Sequence, residues 1–167
     1  RADGDIEALL ARVDSGDDTP RRLEEKTRTV PVLRIIRHGR NAGQSTAVHS
    51  GVRFARAPLI ATLDGDGQND PADIPTLLDA WRARHAGKPL LIAGHRTDRR
   101  DTFVTRASSK IANAVRGSML KDRTPDTGCG LKLFERETFL ALPYFDHMHR
   151  FLPALVLRAG GEVMSVP

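Results

Sequence analysis

Apolar and polar positions along the chain fall into two rhythms, and their alternation predicts the architecture. "PLIATL" (58–63) and "PLLIAG" (89–94) are unbroken apolar runs. Such runs mark strands buried on both faces of a sheet covered by helices. "VPVLRIIR" (30–37) is rich in β-branched residues and predicts another strand, and "GLKLF" (130–134) and "EVMSVP" (162–167) two more. Between these segments the spacing turns helical. Residues 41–57 put Ala47, Val48, Gly51, Val52 and Ala55 on one face. "IPTLLDAWRARH" follows Asp73, a candidate cap, and Val104, Ala107, Ile111 and Val115 recur at helical spacing. "RFLPALVLRAGG" reads as an apolar helix ending at glycine. At the front, "DIEALLARV" (5–13) predicts a short amphipathic helix capped by Asp5, and "DSGDDTP" a loop.

Alternating strands and helices imply an α/β fold with a mainly parallel sheet. Ligands of such sheets bind at the carboxyl ends of the strands. The loops at Asn41, Asp64 and Gly94 all leave such ends and are expected to share one crevice. The front breaks the pattern, because a helix at 5–13 lacks an apolar run on either side. No internal repeat and no low-complexity segment is present.

Composition narrows the classes. A chain of 167 residues, 40% apolar, is read as one domain spanning 1–167. With a mean hydropathy of -0.36 and no apolar run near the ~18 residues a membrane helix needs, no transmembrane span is expected. Nor does the opening stretch read as a signal peptide. Cys129 is the single cysteine, which excludes an internal disulfide and suits a reducing compartment. It reads as a small buried hydrophobe rather than a nucleophile. Net charge is +5, but its distribution says more. Residues 96–123 hold eight Lys/Arg and three Asp, whereas residues 64–73 hold four Asp and no base. An acidic pocket near a basic stretch suits a metal-bridged anionic substrate. Eight scattered aromatics argue against a base-stacking surface, so no nucleic acid is expected as a partner.

The acidic stretch is "LIATLDGDGQNDPADIP" (59–75). Three site types place Asp-x-Asp after an apolar run. A calcium loop needs glycine at its sixth position and glutamate at its twelfth. Counted from Asp64 those positions are Asn69 and Pro75, so that reading fails. An aspartyl-phosphate phosphatase of the haloacid-dehalogenase kind would use Asp64 as nucleophile and Asp66 as acid/base. It would also be expected to carry Thr or Val at Gln68 and a later Gly-Asp pair, neither of which occurs. A clamp for a divalent ion on a nucleoside diphosphate asks only for two carboxylates at i and i+2 beside a strand end. His38, His49 and His147 lack metal-ligand spacing and read as structural or surface groups.

Five stretches in order, "RNAGQSTAVHSGVRFA", "LIATLDGDGQNDPADIP", "GHRTDRR" with "TRASSKIANAV", "DTGCGLKLFER" and "MHRFLPALVLRAGGEV", resemble the family-2 glycosyltransferases of the dolichol- and polyprenol-phosphate sugar transferase branch. The resemblance implies a GT-A fold, a nucleotide-sugar donor (UDP- or GDP-sugar), and inversion at the anomeric centre. It implies a polyprenyl phosphate acceptor at the cytoplasmic face of a membrane, with the chain peripheral or tethered by further segments. By the same resemblance Asp64, Asp66 and Gln68 form the Mg²⁺ or Mn²⁺ and diphosphate site. Arg96, Arg106 and Ser109 hold the acceptor phosphate, Asn41 lies on the donor side, and Asp126 orients acceptor or sugar or else caps a turn. A phosphate monoester already carries about -1.5 to -2 charge at neutral pH and attacks without a strong base. The enzyme then needs cations on both sides of the anomeric carbon. Two departures stand out. The family opens with a strand ending Pro-x-Tyr-Asn-Glu, absent here, and a second ending Asp-Asp-Gly-Ser, which survives as "VDSGDDT" with Asp14 as the remaining base or ribose contact. The chain is therefore read as a GT-A domain lacking its first strand and any C-terminal membrane segment.

Overall fold

The structure is a computed structural model that describes residues 8–12, 18–84, 87–95 and 128–167. In chain order it runs β1 (Ala8–Arg12), α1 (Thr19–Thr29), β2 (Leu33–Arg37), α2 (Gly43–Phe54) and β3 (Leu59–Thr62). A 3₁₀ turn (Pro71–Asp73) leads into α3 (Ile74–Arg84), followed by β4 (Leu90–Gly94) and β5 (Lys132–Glu135). The chain closes with α4 (Arg136–Ala141), a second 3₁₀ turn (Met148–Arg150), α5 (Leu152–Arg158) and β6 (Glu162–Val166).

The strands form a two-stranded sheet, β1–β2, and a four-stranded one in the order β3-β5-β4-β6. β1 with β2 and β4 with β6 are parallel, as the strand–helix alternation predicts. β5 runs antiparallel to both its neighbours, which makes the larger sheet mixed. Helices cover both faces of that sheet, and β4 and β5 divide their side chains between two apolar clusters. Leu91 and Phe134 point to one side, among Val52, Phe139, Met148, Leu152 and Val156. Leu90, Ile92 and Leu133 point to the other, with Leu77, Cys129, Leu131 and Val166. Cys129 is buried and unbridged, as its sequence context suggests.

Three expectations are corrected. The described part of the helix expected at 5–13 is a strand, for Ala8–Arg12 pairs in parallel with Leu33–Arg37. A short apolar run does not reveal its own period, and a non-local partner overrides the helix propensity of Ala and Leu. That change gives the front a β1–α1–β2 unit and removes the anomaly there. Second, β3 is not buried on both faces. Leu59, Ile60 and Thr62 are half-buried and Ala61 is exposed, since β3 ends its sheet and pairs only with β5 among the described residues. Third, the cap before α3 is Asp70, whose carboxylate accepts from the Ala72 backbone N–H at 2.9 Å, rather than Asp73.

Helix α2 ties the two sheets together. It packs against β1 and also against α4 and the Met148 turn. Its C-terminal carbonyls are taken by two arginines from opposite sides. Arg136 donates to the Val52 and Arg53 oxygens at 3.2 and 3.0 Å, and Arg34 on β2 donates to the Phe54 oxygen at 3.1 Å.

Candidate active site

The acidic loop leaves the end of β3 and lies against the strand-entry loop of β5. Thr62 donates its hydroxyl to the Gly130 carbonyl at 2.8 Å, pinning the two segments. Asp64 then folds over Gly130 so closely that a Cβ there would stand 2.2 Å from the carboxyl carbon. Only glycine leaves that room. From the other side Gln44, in the first turn of α2, donates its amide to Asp64 Oδ1 at 3.0 Å. Asp64 is therefore a half-buried carboxylate held from two directions.

Asp66 is exposed two residues on, and one of its oxygens accepts the Gln68 backbone N–H at 3.0 Å. Gly67 between them takes φ +77°, a left-handed turn that glycine adopts without a Cβ clash. Asn69 closes the loop onto the core, donating to Cys129 Sγ at 3.3 Å. Asn41 is exposed and accepts the Gly43 N–H at 3.0 Å, which starts α2 and places Asn41 on the rim that also carries Gln44.

The structure thus sets the acidic loop that carries Asp64, Asp66 and Gln68 against the first turn of α2 through Gln44, with Asn41 just before that helix. Asp14, Arg96, Arg106, Ser109 and Asp126 lie outside the described residues. Sequence reading passed over Gln44, Ser45, Lys132 and His149. Ser45 is buried, and its hydroxyl lies 2.7 Å from His149 Nδ1 across 104 positions of chain. Lys132 is buried on β5 and donates to the Cys129 carbonyl. The His149 ring is held below the ordinary imidazole pKa, first by burial, then by Arg150, Lys132 and His147, against an upward pull from Asp64. No local signal marks these residues, because each gains its role from a partner distant in the chain.

His38, His49 and His147 fit their reading as structural or surface groups. His38 pairs with Ser50 at 3.0 Å, His49 packs against Tyr144 and Phe139, and His147 is exposed at φ 63°.

Among the described residues no three His, Cys, Asp or Glu side chains converge as a metal cage. The donors present are the Asp64 and Asp66 carboxylates with the Gln68 amide, all oxygen ligands. That set suits Mg²⁺ or Mn²⁺, which a few carboxylates hold while waters and phosphate oxygens complete the shell.

Comparison with known proteins agrees with this geometry. The glycosyl transferase family 2 domain matches residues 3–142, acidic loop included. A dodecaprenyl-phosphate galacturonate synthase of Rhizobium johnstonii is 38% identical over 74% of this chain and 36% of its own length. An undecaprenyl-phosphate 4-deoxy-4-formamido-L-arabinose transferase of Enterobacter is 28% identical over 98% of this chain and 49% of its own. The chain thus spans between about a third and a half of these relatives. Among solved structures, glucosyl-3-phosphoglycerate synthase from Mycobacterium tuberculosis superposes with a TM-score of 0.64 at 17% identity, over 98% of this chain and 58% of that one. The fold is GT-A-like, as the sequence motifs imply. The aspartyl-phosphate reading of Asp64 finds no support in these matches.

Proposed function

Since the chain belongs to glycosyl transferase family 2, we propose that it forms the donor-binding part of an inverting transferase moving a sugar from a nucleoside diphosphate to polyprenyl phosphate. The observation that carries this is the Asp64 seat. A carboxylate fixed by Gln44 and by the missing side chain of Gly130, next to an exposed Asp66, is a preformed oxygen face for a cation and a diphosphate. Both named relatives are polyprenyl-phosphate sugar transferases, and that supports the same acceptor here.

Asp64 and Asp66, with Gln68, would hold Mg²⁺ or Mn²⁺. Bound there, the ion supplies charge neutralisation for the departing diphosphate. Asp64 keeps its place because Gln44 holds its Oδ1 and Gly130 leaves room for the carboxylate. Asn41 borders the donor, a UDP- or GDP-sugar, and Asp14 is assigned to its base or ribose. On the acceptor side Arg96, Arg106 and Ser109 grip the incoming phosphate, and Asp126 orients the sugar or the acceptor. The phosphate reaches the crevice from the cytoplasmic face of a membrane. Among the described residues no helix is long and apolar enough to cross a bilayer.

The test is Asp66→Asn, assayed for Mn²⁺-dependent transfer from a panel of nucleotide sugars to polyprenyl phosphate. Transfer falls by about 100-fold or more, as expected when a charge that stabilises the leaving group is lost. The exposed position of Asp66 leaves thermal unfolding unchanged. Substantial metal-dependent transfer by this variant overturns the reading.

A further inference from the structure

Asp64 is one of several side chains that meet where α2 begins, and the sequence motifs do not account for its neighbours. Successive residues of α2 reach in different directions: Gln44 to Asp64, Ser45 to His149. His149 sits on the Met148–Arg150 turn, whose first residue is locked into the core at 1% exposure. Backbone bonds from Arg150 N to His147 O and from Phe151 N to Met148 O close that turn. With Ser45 itself 1% exposed, the imidazole is fixed at its backbone and at Nδ1.

Its other nitrogen is differently placed. Nε2 has no hydrogen-bond partner among the described residues, and it is not one of the buried polar atoms left without one. It therefore meets solvent. Gln44, which holds Asp64, and Ser45, which holds His149, are neighbours in the first turn of α2, so the ring lies at the same end of that helix as the carboxylate. Burial together with Arg150, Lys132 and His147 outweighs Asp64 and favours the uncharged ring. An uncharged ring with one nitrogen committed offers a single directed hydrogen bond. That matches a hydroxyl better than a diphosphate, for which charged donors are stronger.

We propose that His149 recognises the transferred sugar: Ser45 fixes its Nδ1, and its Nε2 hydrogen-bonds a hydroxyl of the sugar whose diphosphate is seated at Asp64. The proposal rests on the donor site described above and adds the residue that reads the sugar. A bland alternative exists, in which the Ser45–His149 bond only staples the turn to α2. The two differ in what each nitrogen does.

Asparagine and glutamine separate them, because an Asn amide sits near the position of Nδ1 and a Gln amide near that of Nε2. Titration calorimetry with Mn²⁺ compares a nucleoside diphosphate with the matching nucleotide sugar, on wild type, His149→Asn, His149→Gln and Ser45→Ala. His149→Asn keeps its unfolding midpoint and binds the nucleoside diphosphate within about twofold of wild type. It loses about tenfold in affinity for the nucleotide sugar, as expected for one hydrogen bond. His149→Gln recovers part of that loss. Ser45→Ala, which frees the ring without removing Nε2, gives a smaller loss, again confined to the nucleotide sugar. That variant carries the test should His149→Asn fail to fold. Wild-type affinity of His149→Asn for the nucleotide sugar leaves only the staple and overturns the proposal. Equal losses for both ligands overturn it too, since His149 would then act on the diphosphate seat. Failure of the wild type to bind any nucleotide sugar with Mn²⁺ sinks the donor site itself, an outcome visible before any variant is made.

Discussion

Strands β4 and β2 are both five residues long, yet all five residues of β4 are buried, whereas β2 has four half-buried residues and an exposed Arg37. The flanking helices differ in the same way. α5 buries Leu152, Pro153, Ala154 and Val156, while α1 beside β2 buries nothing. Position in the sheet separates them. β4 lies between β5 and β6 under helices on both faces, and β2 belongs to a pair. Stability is therefore concentrated in the four-stranded side, and the β1–β2 front is attached to it chiefly through α2.

Substitutions of graded size can break or sharpen that contrast. The largest effect is expected at Phe134, stacked on Phe139 at 5.2 Å and 2% exposed. Phe134→Ala should cost about 3–5 kcal/mol in urea unfolding. Ile35→Ala, half-buried on β2, should cost about 1 kcal/mol. Equal costs would erase the difference between the regions. Next comes Gly130→Ala, whose new methyl meets the Asp64 carboxylate. Overpacking there should cost about 1–3 kcal/mol and push the carboxylate off its seat, lowering Mn²⁺-dependent nucleoside diphosphate affinity more than stability alone explains. Smaller again is the pair of arginines that clasp the end of α2. Arg136→Ala removes two carbonyl contacts and should cost about 1–2 kcal/mol. Arg34→Ala removes the Phe54 contact and should cost about half as much. A reversed order would mean that the front, not the larger sheet, anchors the helix.

The smallest effect is a pH dependence. Burial comes first in lowering both His149 and His49, aided by Arg150 at one and Arg53 at the other. Their folded values lie below the ordinary 6.5, so the unfolded chain binds more protons as pH falls through that value. Stability is complete above it and declines on acidification toward the folded values. The unfolding midpoint should drop by about 2 °C between neutral pH and about 5.5, and His149→Asn should lose part of that slope.

Legibility in the sequence follows the same divide. α2, α3, β4 and β6 announce themselves because each presents an apolar face or run to a core made by the larger sheet. α1 does not, since a helix with no buried residue carries no apolar stripe, and only Pro20 at its start hints at it. "ALLA" at 8–11 was open to either period until Leu33–Ile36 stood beside it. At the site, Asp64 and Asp66 were legible because their spacing is itself the chemistry. Gln44 and His149 were not, for their value lies in reaching a carboxylate and a serine from remote parts of the chain.

The clasp on the far end of α2 makes that helix a lever. Twelve residues at about 1.5 Å each form a rod about 18 Å long, held by guanidinium groups at one end and carrying Gln44 and Ser45 at the other. A tilt of about 3° at the arginine end sweeps the opposite end through about 1 Å, a displacement of the order that separates productive from idle geometry. Disturbances arriving at Arg34 or Arg136, far from any substrate, would thus reach Asp64 magnified in distance though not in energy.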